Sequence, residues 1–120
     1  MKIMSVNPMI ITKYADSNIR IFEKMGFQQT QDKPKDEDAE FFAHRMSDDN
    51  GFCVDVVEVP VTPPRTYTAI RIIVDDYEEA YQFFTSIGFQ RLRGFPPSSE
   101  YSFLISPTGF IIDLCEYSEK

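Results

Sequence analysis

The chain has only two cysteines and one histidine among its 120 residues. Cys53 and Cys115 lie in separate apolar runs, and neither belongs to a CxxC motif or a Cys/His pair. A disulfide framework and a zinc knuckle are therefore not indicated. We expect both thiols to be reduced and the protein to be cytoplasmic.

Long apolar runs and an excess of positive charge are also missing. The longest aliphatic run, residues 70–74, is interrupted by Arg71, so we expect neither a membrane span nor an export signal. Twelve basic residues stand against 19 acidic ones, which gives a net charge of −7. This charge disfavours nucleic acid and anionic lipid as partners and favours a cationic small molecule.

What the sequence does contain is an internal repeat. Residues 22–28 recur 62 residues later, at 84–90, with Phe, Gly, Phe and Gln identical. Residues 51–58 recur 58 residues later, at 109–116, with Gly, Phe, Asp and Glu identical. Since the two blocks come in the same order in both halves, the chain consists of two copies of one unit.

Hydrophobic periodicity predicts one strand, one helix and three further strands in each copy. The predicted strands are residues 10–14, 27–30, 39–46 and 52–58, then 67–74, 89–93, 100–106 and 110–116. The predicted helices are 16–25 and 76–87. Asp16-Ser17 and Asp75-Asp76 are expected to cap them, and Gly26 and Gly88 to end them. The proline-rich residues 60–65 are the predicted linker.

This order of elements resembles the vicinal oxygen chelate superfamily, which includes glyoxalases, bleomycin-resistance proteins and extradiol dioxygenases. The resemblance rests on the Gly-Phe pair after each helix and the acid inside each last strand. It implies one α+β domain over residues 1–120, with module 1 at about 6–59 and module 2 at about 66–117. The two tandem β-α-β-β-β modules would place curved mixed sheets around a central cavity, with the helices outside. It also implies a homodimer, module-swapped or unswapped.

In metal-dependent members, a divalent ion is bound by His or Gln from each first strand and Glu from each last strand. The last-strand positions here are Asp55 and Asp113, and the first-strand position of the second copy is Ala69. Its counterpart is Asn7 by the helix-end offset or Met9 by the cap offset. A His/Glu site is therefore absent, and no metal ligand is assigned, although the two aspartates with Asn7 could hold a hard ion such as magnesium.

Strand alternation groups the neighbours of these acids, because residues two apart point to one face. Cys53 lies beside Asp55, and Cys115 beside Asp113, while Val54, Val56, Ile112 and Leu114 would face the helices. Arg71 is expected on the cavity face and could pair with either acid. If the acids lacked positive charge nearby, one would stay protonated. The predicted ligand-binding residues are Asp55, Asp113, Arg71, Cys53 and Cys115.

Three functions remain open. We favour a metal-independent small-molecule-binding protein, similar to the bleomycin-resistance proteins, whose ligand the resemblance does not identify. The second is a metal-dependent lyase, isomerase or dioxygenase, and the third is a structural or regulatory domain whose cavity has filled. No nucleophile and base pair is recognisable, so catalytic residues are not assigned. His44 alternates with Phe42 and Met46, which predicts a partly buried residue rather than a catalytic base.

Overall fold

The computed structural model describes residues 1–32, 42–58, 65–95 and 102–117. The elements are β1 (Ile3–Ile11), α1 (Ala15–Lys24), β2 (Gln28–Asp32), β3 (Phe42–Ser47), β4 (Cys53–Glu58), β5 (Tyr67–Val74), α2 (Tyr77–Ser86), β6 (Gln90–Arg91), β7 (Phe103–Ile105) and β8 (Ile111–Glu116). The predicted α+β class and the twofold β-α-β-β-β repeat are confirmed. Of the predicted linker, only Arg65 belongs to the described residues.

The first strand and the start of α1 differ from the prediction. The strand runs from Ile3 to Ile11 and not from residue 10 to residue 14, so this prediction is wrong at both ends. The helix α1 begins at Ala15, after an N-cap at Tyr14, so the predicted cap at Asp16-Ser17 is also wrong. The cause is Thr12, whose backbone N–H donates to the Val57 carbonyl at 3.1 Å while its Oγ1 accepts from the Tyr14 N–H at 2.9 Å. The chain therefore leaves the strand at this threonine. Each of the two helices has ten residues.

The other helix signals are confirmed. The Asp76 side chain accepts a hydrogen bond from the Glu79 backbone N–H at 3.1 Å, as expected of an N-cap. Gly26 and Gly88 follow the two helices with φ values of 98° and 105°. Glycine adopts this left-handed conformation without a steric penalty, which explains why each helix stops there.

The chain divides into two compact units, which cut across β1. The first unit is Pro8–Thr68, in which the strand order is β2-β3-β4-β1 and β1 runs parallel to β4. The second unit is Met1–Asn7 with Ala69–Lys120, with the order β1-β5-β8-β7-β6 and with β5 parallel to β8. The pairs β2–β3, β3–β4, β6–β7 and β7–β8 are antiparallel, so the predicted mixed sheets are confirmed.

One face of each sheet packs against its own helix. Val54 and Val56 of β4 lie in a core with α1, whereas Ile112 and Leu114 of β8 lie in a core with α2. The predicted alternation of these two strands is therefore correct. The residues between them lie on the opposite side, which we call the helix-free face of each unit. Among the described residues, no helix is long and apolar enough to cross a membrane.

Candidate functional site

Each predicted acid lies in the middle of the last strand of its module, on the helix-free face. Asp55 and Asp113 are both buried. Asp55 lies opposite Met9 of β1, and Asp113 lies opposite Arg71 of β5. Because a buried carboxylate is unfavourable without a partner, the groups around each acid decide what it can do.

In the first unit, Asp55 is bound by Arg45 of the neighbouring strand β3. Nε of Arg45 donates to Oδ1 at 2.9 Å, and Nη2 donates to Oδ2 at 3.1 Å. The two residues are direct partners in the antiparallel β3–β4 ladder. The hydrogen bond to Asp55 raises the pKa of the Arg45 guanidinium. The result is a bidentate ion pair that occupies both oxygens of the carboxylate.

Beside this pair, three weakly polar side chains form a row across neighbouring strands. Cys53 Sγ lies 3.2 Å from Ser47 Oγ, and Ser47 Oγ lies 2.9 Å from Thr30 Oγ1. Cys53 is partly buried, in the register position opposite Ser47. This row adds neutral hydrogen-bonding groups next to the guanidinium of Arg45.

In the second unit, Asp113 has a different set of neighbours. Its Oδ1 accepts from the Ser102 backbone N–H at 3.0 Å and from the Cys115 thiol at 3.4 Å. Its Oδ2 lies 3.8 Å from Nε of Arg71. Of the two partners open to Arg71 from sequence, the structure thus brings it next to Asp113. Each acid therefore has its own arginine within its own unit, so the condition under which one acid would stay protonated is not met.

Cys115 is not an activated nucleophile. Burial raises the pKa of its thiol to about 12, and the negative charge of Asp113 acts in the same direction. Because the thiolate is the reactive form of cysteine, a thiol with this pKa is inert at neutral pH. Cys115 therefore acts as a hydrogen-bond donor to the buried acid.

We expect Cys115 to resist alkylation in the native protein at pH 8, since the thiolate would form only well above that pH. Peptide mass spectrometry after treatment with iodoacetamide measures this. The control is the same reaction in concentrated urea, where both cysteines should be labelled. Rapid labelling of Cys115 in the folded protein would contradict the assignment.

The two modules supply the arginine from different strands. In the place of Arg45, the second copy has Phe103, 58 residues later, and its arginine is Arg71 of β5. Phe103 is buried and packs edge-to-face against Phe95, with 5.2 Å between the ring centroids. The Arg71 side chain is 15% exposed, whereas that of Arg45 is 34% exposed. The arginine beside Asp113 in the second unit is thus mostly buried, whereas the arginine beside the equivalent Asp55 in the first unit is partly accessible to solvent.

This arrangement of strands and helices occurs in solved structures of low sequence identity. Methylmalonyl-CoA epimerase from Mycobacterium tuberculosis has a TM-score of 0.60 and 10% identity, covering 97% of this chain and 89% of that chain. A glyoxalase/bleomycin resistance protein/dioxygenase superfamily member from Vibrio splendidus 12B01 has a TM-score of 0.53 and 18% identity, covering 94% and 98%. The chain has the glyoxalase/bleomycin-resistance fold. The predicted resemblance is confirmed for the fold.

A third structure with the glyoxalase fold contains an organic ligand. It is the methylmalonyl-CoA epimerase from Streptomyces coelicolor in complex with 2-nitronate-propionyl-CoA, with a TM-score of 0.57 and 12% identity, covering 98% of this chain and 99% of that chain. No protein-family model and no curated protein sequence matches the chain. Identities this low show a shared fold and leave the activity to be argued from the site.

The residues of this chain do not fit the metal-ligand pattern of the glyoxalase superfamily. The parallel partners of the two acids, Met9 and Arg71, are 62 residues apart, so the counterpart of Ala69 is Asn7. Ala69 has no donor atom, and both oxygens of Asp55 already accept from a guanidinium. In the part of the chain that the structure describes, no three His, Cys, Asp or Glu residues are grouped so as to hold a metal ion.

The sequence did not identify Arg45 as the partner of Asp55, whereas the expected partial burial of the neighbouring His44 is confirmed. His44 is partly buried in β3, and its Nδ1 lies 3.2 Å from Nε2 of Gln29. The predicted hairpin turn at residues 48–51 did not identify Arg45, because closing it between residues 47 and 52 would place His44 opposite the acid. Pairing Ser47 with Cys53 across that turn places Arg45 opposite the buried acid.

Proposed function

We propose that this protein is a metal-independent small-molecule-binding protein with the glyoxalase fold. The observation that carries the proposal is that the acids at the family's ligand positions are committed to protein donors. Asp55 accepts two hydrogen bonds from Arg45, and Asp113 accepts from Ser102 and Cys115. Replacing these donors by a metal ion would leave a buried or half-buried arginine beside a second cation.

The proposed ligand-binding groups lie on the helix-free face of each unit. In the first unit they are Asp55, Cys53 and the newly found Arg45, and in the second they are Asp113, Arg71 and Cys115. Such a mixture of apolar surface and a few convergent polar groups is typical of small-molecule sites. That an epimerase with this fold was solved with an acyl-CoA-type ligand supports the same use of the fold here. We also propose that the protein is cytoplasmic and that it forms a homodimer. Light scattering at micromolar concentration would test the homodimer.

Thermal unfolding in the presence of divalent metals tests the proposal. The chelator-treated, tag-free protein should keep its midpoint when magnesium, manganese, zinc, nickel or iron(II) is added. A small-molecule library should contain compounds that raise the midpoint, because a ligand at 100 times its Kd stabilises the folded state by about 2.7 kcal/mol. The library should include cationic compounds, because the net charge of −7 favours cations at long range. It should also include anionic compounds, because the side chain of Arg45 is partly accessible.

A metal-dependent lyase, isomerase or dioxygenase is the alternative, and the epimerases with the same fold favour an enzyme over a binding protein. A midpoint that rises with one metal and returns with chelator would support this alternative and contradict metal independence. A protein that responds to neither metals nor small molecules would instead point to a structural or regulatory domain.

A further inference from the structure

Arg45 is held in one orientation with part of its hydrogen-bonding capacity directed away from its partner. A guanidinium has five N–H groups in a planar fork. Asp55 takes the side of that fork formed by Nε and Nη2. The end formed by Nη1 and Nη2 offers two further, parallel N–H groups. Since the Arg45 side chain is 34% exposed and that of Asp55 only 3%, the anchor is buried and the fork is accessible.

Within the described β3–β4 ladder, no charged residue other than Asp55 shares the face of Arg45. The helix-free face of the β3–β4 ladder consists of Ala43, Arg45, Ser47, Cys53, Asp55 and Val57. On this face Arg45 is the sole basic residue and the buried Asp55 the sole acidic one. The same two strands and β2 also contribute the hydroxyls of Ser47 and Thr30 and the thiol of Cys53, which are hydrogen-bonded to one another. In a chain with a net charge of −7, this face thus carries an ion pair without net charge, and the arginine is its more exposed member.

The second module shows that burial of the acid does not require an exposed arginine. There the equivalent acid, Asp113, pairs with an arginine that is 15% exposed, and Phe103 occupies the position of Arg45. A buried ion pair contributes little net stability compared with apolar residues of similar volume. Stability alone therefore does not account for the accessible fork in the first module.

We propose that Arg45 binds the anionic group of a small organic ligand, a carboxylate or a phosphate, on the helix-free face of the β3–β4 hairpin. This inference rests on the proposed small-molecule-binding function and specifies the class of its ligand. Two parallel N–H groups match two oxygens of a carboxylate or phosphate, which a lysine at this position could not do. Asp55 acts as a positioning residue, because it fixes the plane of the guanidinium before the ligand arrives.

The test is an NMR titration of the full chain with two anionic probes, propionate and methyl phosphate, and one cationic probe, methylammonium, at constant ionic strength in chloride. We expect saturable shifts of the Arg45 Nε–H signal and of backbone amides in β3 and β4 below 50 mM probe. The probe with the lower Kd identifies the preferred anion. Arg45→Gln should weaken binding by at least about tenfold, since it removes hydrogen bonds to a charged group. Arg20→Gln, which makes the same charge change on the exposed face of α1, should leave the Kd unchanged.

Two further variants keep the test decisive if Arg45→Gln does not fold. The double variant Arg45→Met with Asp55→Met removes the fork and its anchor together, so no buried charge is left alone, and it should lose the shifts. Arg45→Lys keeps the charge and should bind several-fold more weakly. The absence of a saturable Arg45 shift with either anion would overturn the inference. Saturation by methylammonium alone would also overturn the inference, but it would leave the proposed small-molecule binding intact. A response to metals alone would overturn both the inference and the proposed function.

Discussion

Asp113→Ala is expected to lower the free energy of unfolding by about 3–5 kcal/mol, because it breaks a buried ion pair from one side. The carboxylate is fully buried, and its removal deprives Arg71 of its counter-ion and the Ser102 backbone N–H of its acceptor. Urea unfolding followed by circular dichroism measures the change, with an unchanged m value showing that the two-state description still holds.

The repeat supplies the matched control for this experiment. Asp55→Ala removes the equivalent carboxylate, but the partner left behind, Arg45, is half-exposed and can reach water. Its expected cost is roughly 1–3 kcal/mol, the penalty for disrupting a hydrogen bond to a charged group without trapping a charge. Equal losses for the two variants, or a loss below about 1 kcal/mol for Asp113→Ala, would contradict the difference in burial on which the comparison rests.

The fold was predictable because its signals are local and occur twice. The glycines at positive φ and the alternation along β4 and β8 depend on residues adjacent in sequence, so the helix ends and the helix-facing residues were correct. The predicted start of α1 was wrong for an equally local reason, which the residue types alone do not show. Asp16 and Ser17 are good capping residues, but the hydrogen bonds of Thr12 turn the chain earlier.

The partner of Asp55 was missed because the register of a hairpin changes with each residue by which the turn is made longer or shorter. The predicted strands end at residue 46 and resume at residue 52, which would place Ala43 opposite the acid. The observed strands end at Ser47 and resume at Cys53, and this shift brings Arg45 there instead. A shift of the register changes every cross-strand pair, so predicting β3 and β4 nearly correctly was not enough to identify the partner of Asp55.

The partner of Arg71 was left open for a different reason. Its strand, β5, runs parallel to β8, and parallel strands are joined by a long crossover whose length does not set their register. Sequence could place Arg71 on the helix-free face but could not say which acid lies opposite. The ligand class depended on these same two pairings. Without them, the net charge alone favoured a cation, whereas the accessible fork of Arg45 favours an anion.

The second large effect is expected for Phe84→Ala, which should lower the free energy of unfolding by about 3–5 kcal/mol. Phe84 is 9% exposed in the core between α2 and its sheet, and the rings of Phe83 and Phe89 each lie 5.1 Å from it in edge-to-face geometry. Removing the ring deletes buried apolar area and leaves a cavity between two aromatic neighbours. Urea unfolding again measures the loss.

Phe83→Ala is the adjacent control, since that ring is 45% exposed and its removal should cost about 1 kcal/mol or less. The same core contains Ile112 and Leu114, which flank Asp113 on β8. If this core holds β8 in register, Phe84→Ala and Asp113→Ala should be non-additive in the double variant, with a coupling of at least about 0.5 kcal/mol. Strict additivity would mean that the core of α2 and the buried acid stabilise the second unit independently. A similar loss of stability for Phe83→Ala and Phe84→Ala would refute the assignment of Phe84 to the core.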